Sequence, residues 1–439
     1  MMTLVRNKEE RGFLLILTLV TTFLISAFLT AFLIMVTSGL RQANRAVEST
    51  RAYYVADAGL ANALMQVKAW NTLQNSLTIG ATSYPVGPNN LNGSYSVSVT
   101  SDGATPCPTY TLTSTGVFGN TTKILTLRIN VISYSRWNYL SVTETHPTWG
   151  KLWWVTGMWS DGATHTNGQF NIWGNPVYNG PVSQSASAIN YGQGGLPRDN
   201  PDFQNGLTLS APQIPFPTVD LLNSIKGGAQ QGSGTYNLTG NTTVTLTSDG
   251  TMKVTNSAKG WSARSMAIPP NGAFYVNNGD VTVQGTLQGK LTIATNQNVL
   301  IAGNVIYKTD QRAHQLDPTK PESTDFLGLV ATSSVTVKDT APNNLRIDAY
   351  VVALDGAFQL QNFSTGGYKG DMIQFGGLMN KYCGPTGVMD SHGNIIDGYN
   401  QLQYYDDRLQ NTAPPWFTAA KDSSGKLLFT KLDLKETSP

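Results

Sequence analysis

The sequence predicts a mostly β fold carried behind one long N-terminal α-helix. Three observations predict it. No Asp, Glu, Lys or Arg interrupts the apolar run from Phe13 to Leu40, and no proline occurs before Pro85. Segments of strict polar–apolar alternation follow between residues 92 and 132. From about residue 280 to 360, apolar segments of three to five residues recur with Gly or Asn between them.

Composition agrees with this class. The chain has 439 residues, enough for more than one domain and a sizeable core. Only 13% of residues are charged, 40% are hydrophobic and 43 are Gly. Disordered chains combine high net charge with few apolar residues, which is not the balance here. A β-rich, turn-dense protein of the cell envelope or exterior fits. The formal net charge of +2 is too small to argue for nucleic acid by itself.

Residues 1–12 form a short polar leader, with Arg6, Lys8 and Arg11 against Glu9 and Glu10. Gly12 closes the leader and Phe13 opens the apolar run. Phe13–Val36 makes a helix of about 36 Å, enough to cross a hydrocarbon core of roughly 30 Å. A secretory signal peptide has a shorter apolar core and a small-residue exit, and neither is present. Beyond the apolar part, Leu40, Ala43, Val47, Tyr54, Ala58, Ala61 and Met65 recur at helical spacing among Arg41, Arg45, Glu48, Arg51 and Asp57. The pattern predicts one helix over residues 13–70, apolar all round in its first half and amphipathic in its second. A single-pass anchor with a juxtamembrane helix is the alternative.

The order of charged leader, Gly12, Phe13, unbroken apolar helix and amphipathic extension resembles type IV prepilins. The segment from Arg51 through Tyr53, Tyr54, Ala58 and Gly59 to Leu64 is similar to the tyrosine-to-alanine-glycine segment of minor pilins with PilX-like N-termini. The resemblance implies cleavage between Gly12 and Phe13 by a prepilin peptidase, with Phe13 N-methylated as the mature N-terminus. It also implies an inner-membrane precursor that later joins a pilus reaching the periplasm, outer membrane and cell surface. Partners would be other pilins, met through the helix. Major pilins carry glutamate at the fifth mature position, where this chain has Leu17. In the family that carboxylate pairs with a neighbour's charged N-terminus in an apolar environment. Leu17 therefore points to a minor subunit at or near a tip rather than the repeating subunit.

Residues 71–133 read as an antiparallel sheet. Ser94–Thr100, Tyr110–Thr115 and Lys123–Val131 alternate with period two. With the helix they make a pilin-like α+β body. Residues 134–420 then read as a β-solenoid domain, in which short strands bury their inner residues by stacking coil on coil. A β-sandwich is the rival. Residues 134–180 hold Trp137, Trp149, Trp153, Trp154, Trp159 and Trp173; the Pro- and Gly-rich 194–234 stretch reads as a crossing loop with a short helix near 218–226. Residues 421–439 read as a C-terminal tail. The segments Asp161–Gly180 and Gly398–Phe417 resemble the domain often fused behind PilX-like N-termini. A pilin body joined to a large solenoid is similar to competence pilins of the Thermus–Deinococcus group.

No catalytic set emerges, so an enzyme is not expected, and neither a cofactor nor a metal is implied. His146, His165, His314 and His392 have no metal-ligand spacing. His165 reads as a turn residue bonding backbone rather than a ligand or base. Asp406 and Asp407, beside Arg408, read as a structural ion pair and cap rather than a catalytic carboxylate pair. Cys107 and Cys383 leave two readings open, a disulfide between them or two buried free thiols. The resemblance to competence pilins implies binding of extracellular double-stranded DNA during natural transformation. The candidate cations are scattered along the chain: Lys253, Lys259, Arg264, Lys290, Lys308 and Arg312. The alternative is an adhesin or glycan-binding envelope protein with a pilin-like anchor and no DNA role.

Overall fold

The structure is a computed structural model that describes residues 8–86, 91–104, 107–231, 234–422 and 424–437. Residues 1–7 of the expected leader lie outside the described residues. Helix α1 spans Lys8–Lys68, so it starts before the Gly12–Phe13 bond. Lys8, Glu9, Glu10 and Arg11 are good helix formers and continue it toward the N-terminus. Residues 12–47 are exposed throughout. Ala52, Val55, Ala56, Leu60, Ala63 and Val67 recur every three or four residues and are buried on one face.

That face packs on an antiparallel sheet whose first strands are β1 (Ser76–Val86), β2 (Leu91–Ser101), β3 (Thr109–Phe118) and β4 (Thr121–Val131). Alternate residues supply the core: Tyr95, Val97 and Val99 from β2, Tyr110 and Leu112 from β3, Leu125, Leu127 and Ile129 from β4. Gly116 of β3 lets the helix come close. A Cβ there would stand 2.5 Å from the Ala52 carbonyl oxygen, a backbone atom. The three strands read from alternation lie inside β2, β3 and β4. Strand β1, with Gly80 and Pro85, lacks the alternation that marks the others.

The fifth strand of this sheet is Phe429–Thr437, antiparallel to β4. This corrects the reading of residues 421–439 as a tail. Leu434 faces Leu127 across the pair, and Lys123 closes a 2.6 Å ion pair with Glu436. The large domain is thus inserted between two neighbouring strands, not appended. The chain crosses at Ile132, whose N–H donates to Leu428 (2.9 Å) and whose carbonyl accepts from the Ala420 N–H (2.7 Å).

The inserted domain is a stack of parallel strands. One inward row runs Phe274, Ile293, Leu329, Val351, Leu378, Tyr139, Thr164, Val182 and Leu207, each paired with the next. The chain enters in the middle of this row, at Tyr139. It builds one arm through Thr164, Val182 and Leu207, then crosses the outer face by residues 212–217 and helix α2 (Val219–Gln231). It restarts at the far end with Asn237–Thr239 and winds back until Leu378 pairs with Tyr139. The two arms therefore meet at a seam. The helix expected near 218–226 is α2; Leu221, Leu222 and Ile225 pack it on Ala273, Tyr275 and Ala294.

Turn residues stack as well as strands. Asn241 Oδ1 accepts from the Asp280 N–H, Asp280 Oδ1 from Asn298, Asn298 Oδ1 from Ser334, and Ser334 Oγ from Ala357, at 3.0–3.2 Å. This row satisfies corner backbone donors that no strand can reach. Equivalent corner positions lie 18 residues apart in a plain coil. They lie 36 apart where helix α3 (Gln311–Leu316) is inserted and 39 apart where the hairpin Thr251–Asn256 and Trp261–Ala267 is inserted. These insertions hide a fixed period in the sequence. The separate strands read at 345–348, 350–354 and 357–360 form one continuous strand, Arg346–Leu360, with a register shift between Ala353 and Ala357.

Candidate functional site

Several singled-out residues have structural work. His165 does not lie in a turn but in the strand Thr164–Thr166, paired with Leu140 and Ser183. Its Nε2 meets Asn167 Oδ1 at 2.9 Å and its Nδ1 meets Ser183 Oγ at 2.7 Å. A carboxamide oxygen only accepts, so Nε2 carries a proton. Asn167 in turn holds both backbone groups of Ile214, pinning the segment that crosses to α2. Burial pushes the His165 pKa below its usual value. Asp406 caps the turn Asp407–Gln410 and pairs with Arg408 at 2.6 Å. Arg408 also donates to the carbonyls of Ser323 and Asp325 and lies 4.1 Å from the Phe326 ring centroid. Asp407 is exposed, so the two carboxylates do not share a site.

The cysteines are both free. Cys107 bonds Ser133 beside the antiparallel sheet, and burial pushes its thiol up to about 12. Cys383 sits at the seam against Tyr139 and Glu144, where burial raises its pKa well above the usual thiol value. The two have different neighbours, so the disulfide reading is corrected in favour of free thiols. Neither thiol is activated as a nucleophile.

The six candidate cations do not gather into one row. Lys253, Lys259 and Arg264 are exposed on the hairpin that ends one arm, and none is in an ion pair among the described residues. The Arg264 guanidinium lies 4.4 Å from the Trp261 ring centroid. Lys290 lies over Phe326, Lys308 donates to Gln288, and Arg312 lies over Tyr404. At the other end of the chain, Gly12 and Phe13 stand exposed on α1, as does Leu17.

The seam carries a feature that the sequence reading missed. A half-open cleft of about 280 Å³ lies between the Glu144–Val155 segment and the end of the strand Tyr368–Cys383. The tryptophans divide around it. Trp154 is core, packed edge-on to Tyr139 at 5.1 Å. Trp149 and Trp153 line the opening, with Trp149 edge-on to Phe363 at 5.0 Å. His146 Nδ1 accepts from the backbone of Thr148 and Trp149 and holds that turn. Behind the cleft wall is Glu144, fully buried, accepting from the Tyr139 and Ser141 hydroxyls and the Trp154 indole. Burial raises its pKa against the pull of those donors. Glu144 is one of two acids in the aromatic-rich 134–180 stretch, with Asp161, and that isolation was the available signal. The segments Asp161–Gly180 and Gly398–Phe417 meet beside this region, with Leu402 to Tyr404 paired to Trp159 to Asp161. Among the described residues, no group of three His, Cys, Asp or Glu forms a metal cluster.

No protein-family model matches the chain, and no curated protein matches it. Among solved structures, the chain is similar to a pilin. That structure is the competence-associated pilin ComZ from Thermus thermophilus, at 14% identity and a TM-score of 0.35, over 89% of this chain and 97% of that one.

Proposed function

We propose that this chain is a minor type IV pilin-like subunit that displays its inserted β domain, a β-solenoid by its coil-on-coil pairing, as a binding element. One observation carries the reading. Helix α1 is exposed and apolar over its first half and packed on an antiparallel sheet over its second. Such a helix needs another apolar partner, first a membrane and then the helices of neighbouring pilins. Prepilin peptidase cuts between Gly12 and Phe13, and Leu17 keeps the subunit rare and at or near the tip. Replacing Gly12 with Leu blocks maturation; mature protein persisting in filaments of normal length would refute the reading.

In this proposal the ligand is extracellular double-stranded DNA taken up in natural transformation. What supports it is the cationic, aromatic end of one arm formed by Lys253, Lys259, Arg264 and Trp261. Three phosphate contacts give an affinity that falls with salt with a log–log slope of about −3. Among the described residues, a chain starting near residue 40 loses exposed helix, so electrophoretic shift can use it. Binding unchanged by salt, or unchanged when all three cations become alanine, would refute DNA capture by this end. The cleft at the seam favours a second reading, a glycan-binding adhesin with a pilin-like anchor.

A further inference from the structure

We infer that the seam cleft is a binding site for one pyranose ring of a neutral glycan. This rests on the second reading above and is independent of DNA capture. The walls are aromatic and aliphatic, with Trp149, Trp153 and Phe363 at the opening. Trp149 is 52% exposed although its backbone is held by His146 and its ring by Phe363. A large ring kept rigid in water is organised to be covered.

Two polar atoms identify what covers it. Asn380 is 1% exposed, and its Oδ1 is buried with no hydrogen-bond partner. The Nε2 of Gln401 is likewise buried without a partner. Both residues line the cleft. Buried amide groups are rarely left unpaired, so an acceptor and a donor stand ready together. A pyranose supplies both needs. Its C–H face carries the positive edge of polarised bonds, which meets the negative face of an indole. Its hydroxyls donate to one amide and accept from the other.

Other ligand classes fit less well. An acyl chain would leave Asn380 and Gln401 unpaired. An anionic ligand would meet one cation, the exposed Lys151. A nucleotide would face the same shortage for its phosphate. A cation would find no free carboxylate, because Glu144 is closed behind Tyr139 and Trp154 with its oxygens already accepting. The lining therefore selects a neutral ring with apolar faces and polar edges.

The test titrates the full chain, in a detergent without a sugar headgroup, with maltohexaose, cellohexaose, chitohexaose and a thymidine dodecanucleotide, following tryptophan fluorescence. A saturable change is expected with at least one neutral oligosaccharide. Trp149→Ala weakens it about tenfold or more, the loss of one stacking surface. Lys431→Gln, on the antiparallel sheet away from the cleft, leaves it unchanged. Trp149 is half in water, so its removal leaves the urea midpoint in place and separates binding from folding. A response to the dodecanucleotide alone overturns the inference. So does a response to sugar that Trp149→Ala does not weaken. Retention on glycan-coated beads separates the two levels. Retention indifferent to Trp149→Ala sinks this site and leaves the adhesin reading standing, whereas no retention and no fluorescence response sinks both.

Discussion

Gly116→Ala tests the contact on which the helix–sheet body depends. The added methyl would stand 2.4 Å from the Ala56 nitrogen and 2.5 Å from the Ala52 oxygen, both backbone atoms of α1. Relaxed contacts need about 3.5 Å, so the helix has to rise by roughly 1 Å. Neither atom is the end of a flexible side chain, so no rotamer change relieves the clash. A gap of 0.5–1 Å forfeits about a quarter to a half of each dispersion contact it opens. Val55, Leu60, Ala63 and Val67 all lose contacts to the sheet when the helix lifts. Overpacking of this kind costs about 1–3 kcal/mol, and the backbone clash places this case near 3. Urea unfolding of the chain starting near residue 40, followed by far-ultraviolet circular dichroism, measures it. Gly80→Ala is the control, because nothing lies within 4 Å of its added methyl. The control changes stability by less than about 0.5 kcal/mol. If Gly116→Ala matches the control, the close helix–sheet approach is refuted.

Arg408→Ala leaves Asp406 buried and uncompensated, and the loss is about 3–5 kcal/mol by urea unfolding; under about 1 kcal/mol would mean that solvent reaches the carboxylate. His165 has a folded-state pKa below its ordinary value of 6.5, so the unfolded chain binds the extra proton first. Its contribution to stability is present above pH 6.5 and is lost as pH falls through that value toward the folded pKa. His165→Asn therefore flattens the fall in urea midpoint between about pH 7.5 and about pH 5, and an unchanged slope contradicts a neutral buried ring. Both cysteines are free, so intact mass is the same with and without reductant, and alkylation of the buried Cys107 requires unfolding; a mass change on reduction contradicts this.

What the sequence made legible was local. The helix was readable because its pattern is continuous and no proline breaks it. Strands β2, β3 and β4 were readable because one face is buried and the other is not, which writes period two into the residues. The stack was readable as short strands with Gly or Asn between them, and the side chains of Asn241 and Asn298 bridge successive corners. What stayed hidden depends on contacts far apart in sequence. Phe429–Thr437 has little alternation because it is an edge strand, so nothing local distinguished it from a tail. The pairing of Leu378 with Tyr139 joins residues from opposite ends of the domain, and the cleft exists only where that seam closes. Trp149, Asn380 and Gln401 had no common signal before the seam brought them together. Glu144 was hidden for the same reason, since Cys383 reaches it across the seam.

The double crossing at Ile132 also determines how the molecule carries load. The large domain leaves the sheet through β4 and returns through the strand beside it, at the same end, where Val131 pairs with Phe429. A pull on the domain along these strands draws both in the same direction, so the bonds between them feel no shear. The tension passes instead to the β3–β4 ladder, from Thr109 opposite Asn130 to Phe118 opposite Thr121. Those bonds are loaded side by side rather than opened one after another. The ladder lies directly under the buried half of α1. A load on the outer domain would therefore be held by a clamp whose far side is α1, with no single peptide linker as its weakest point.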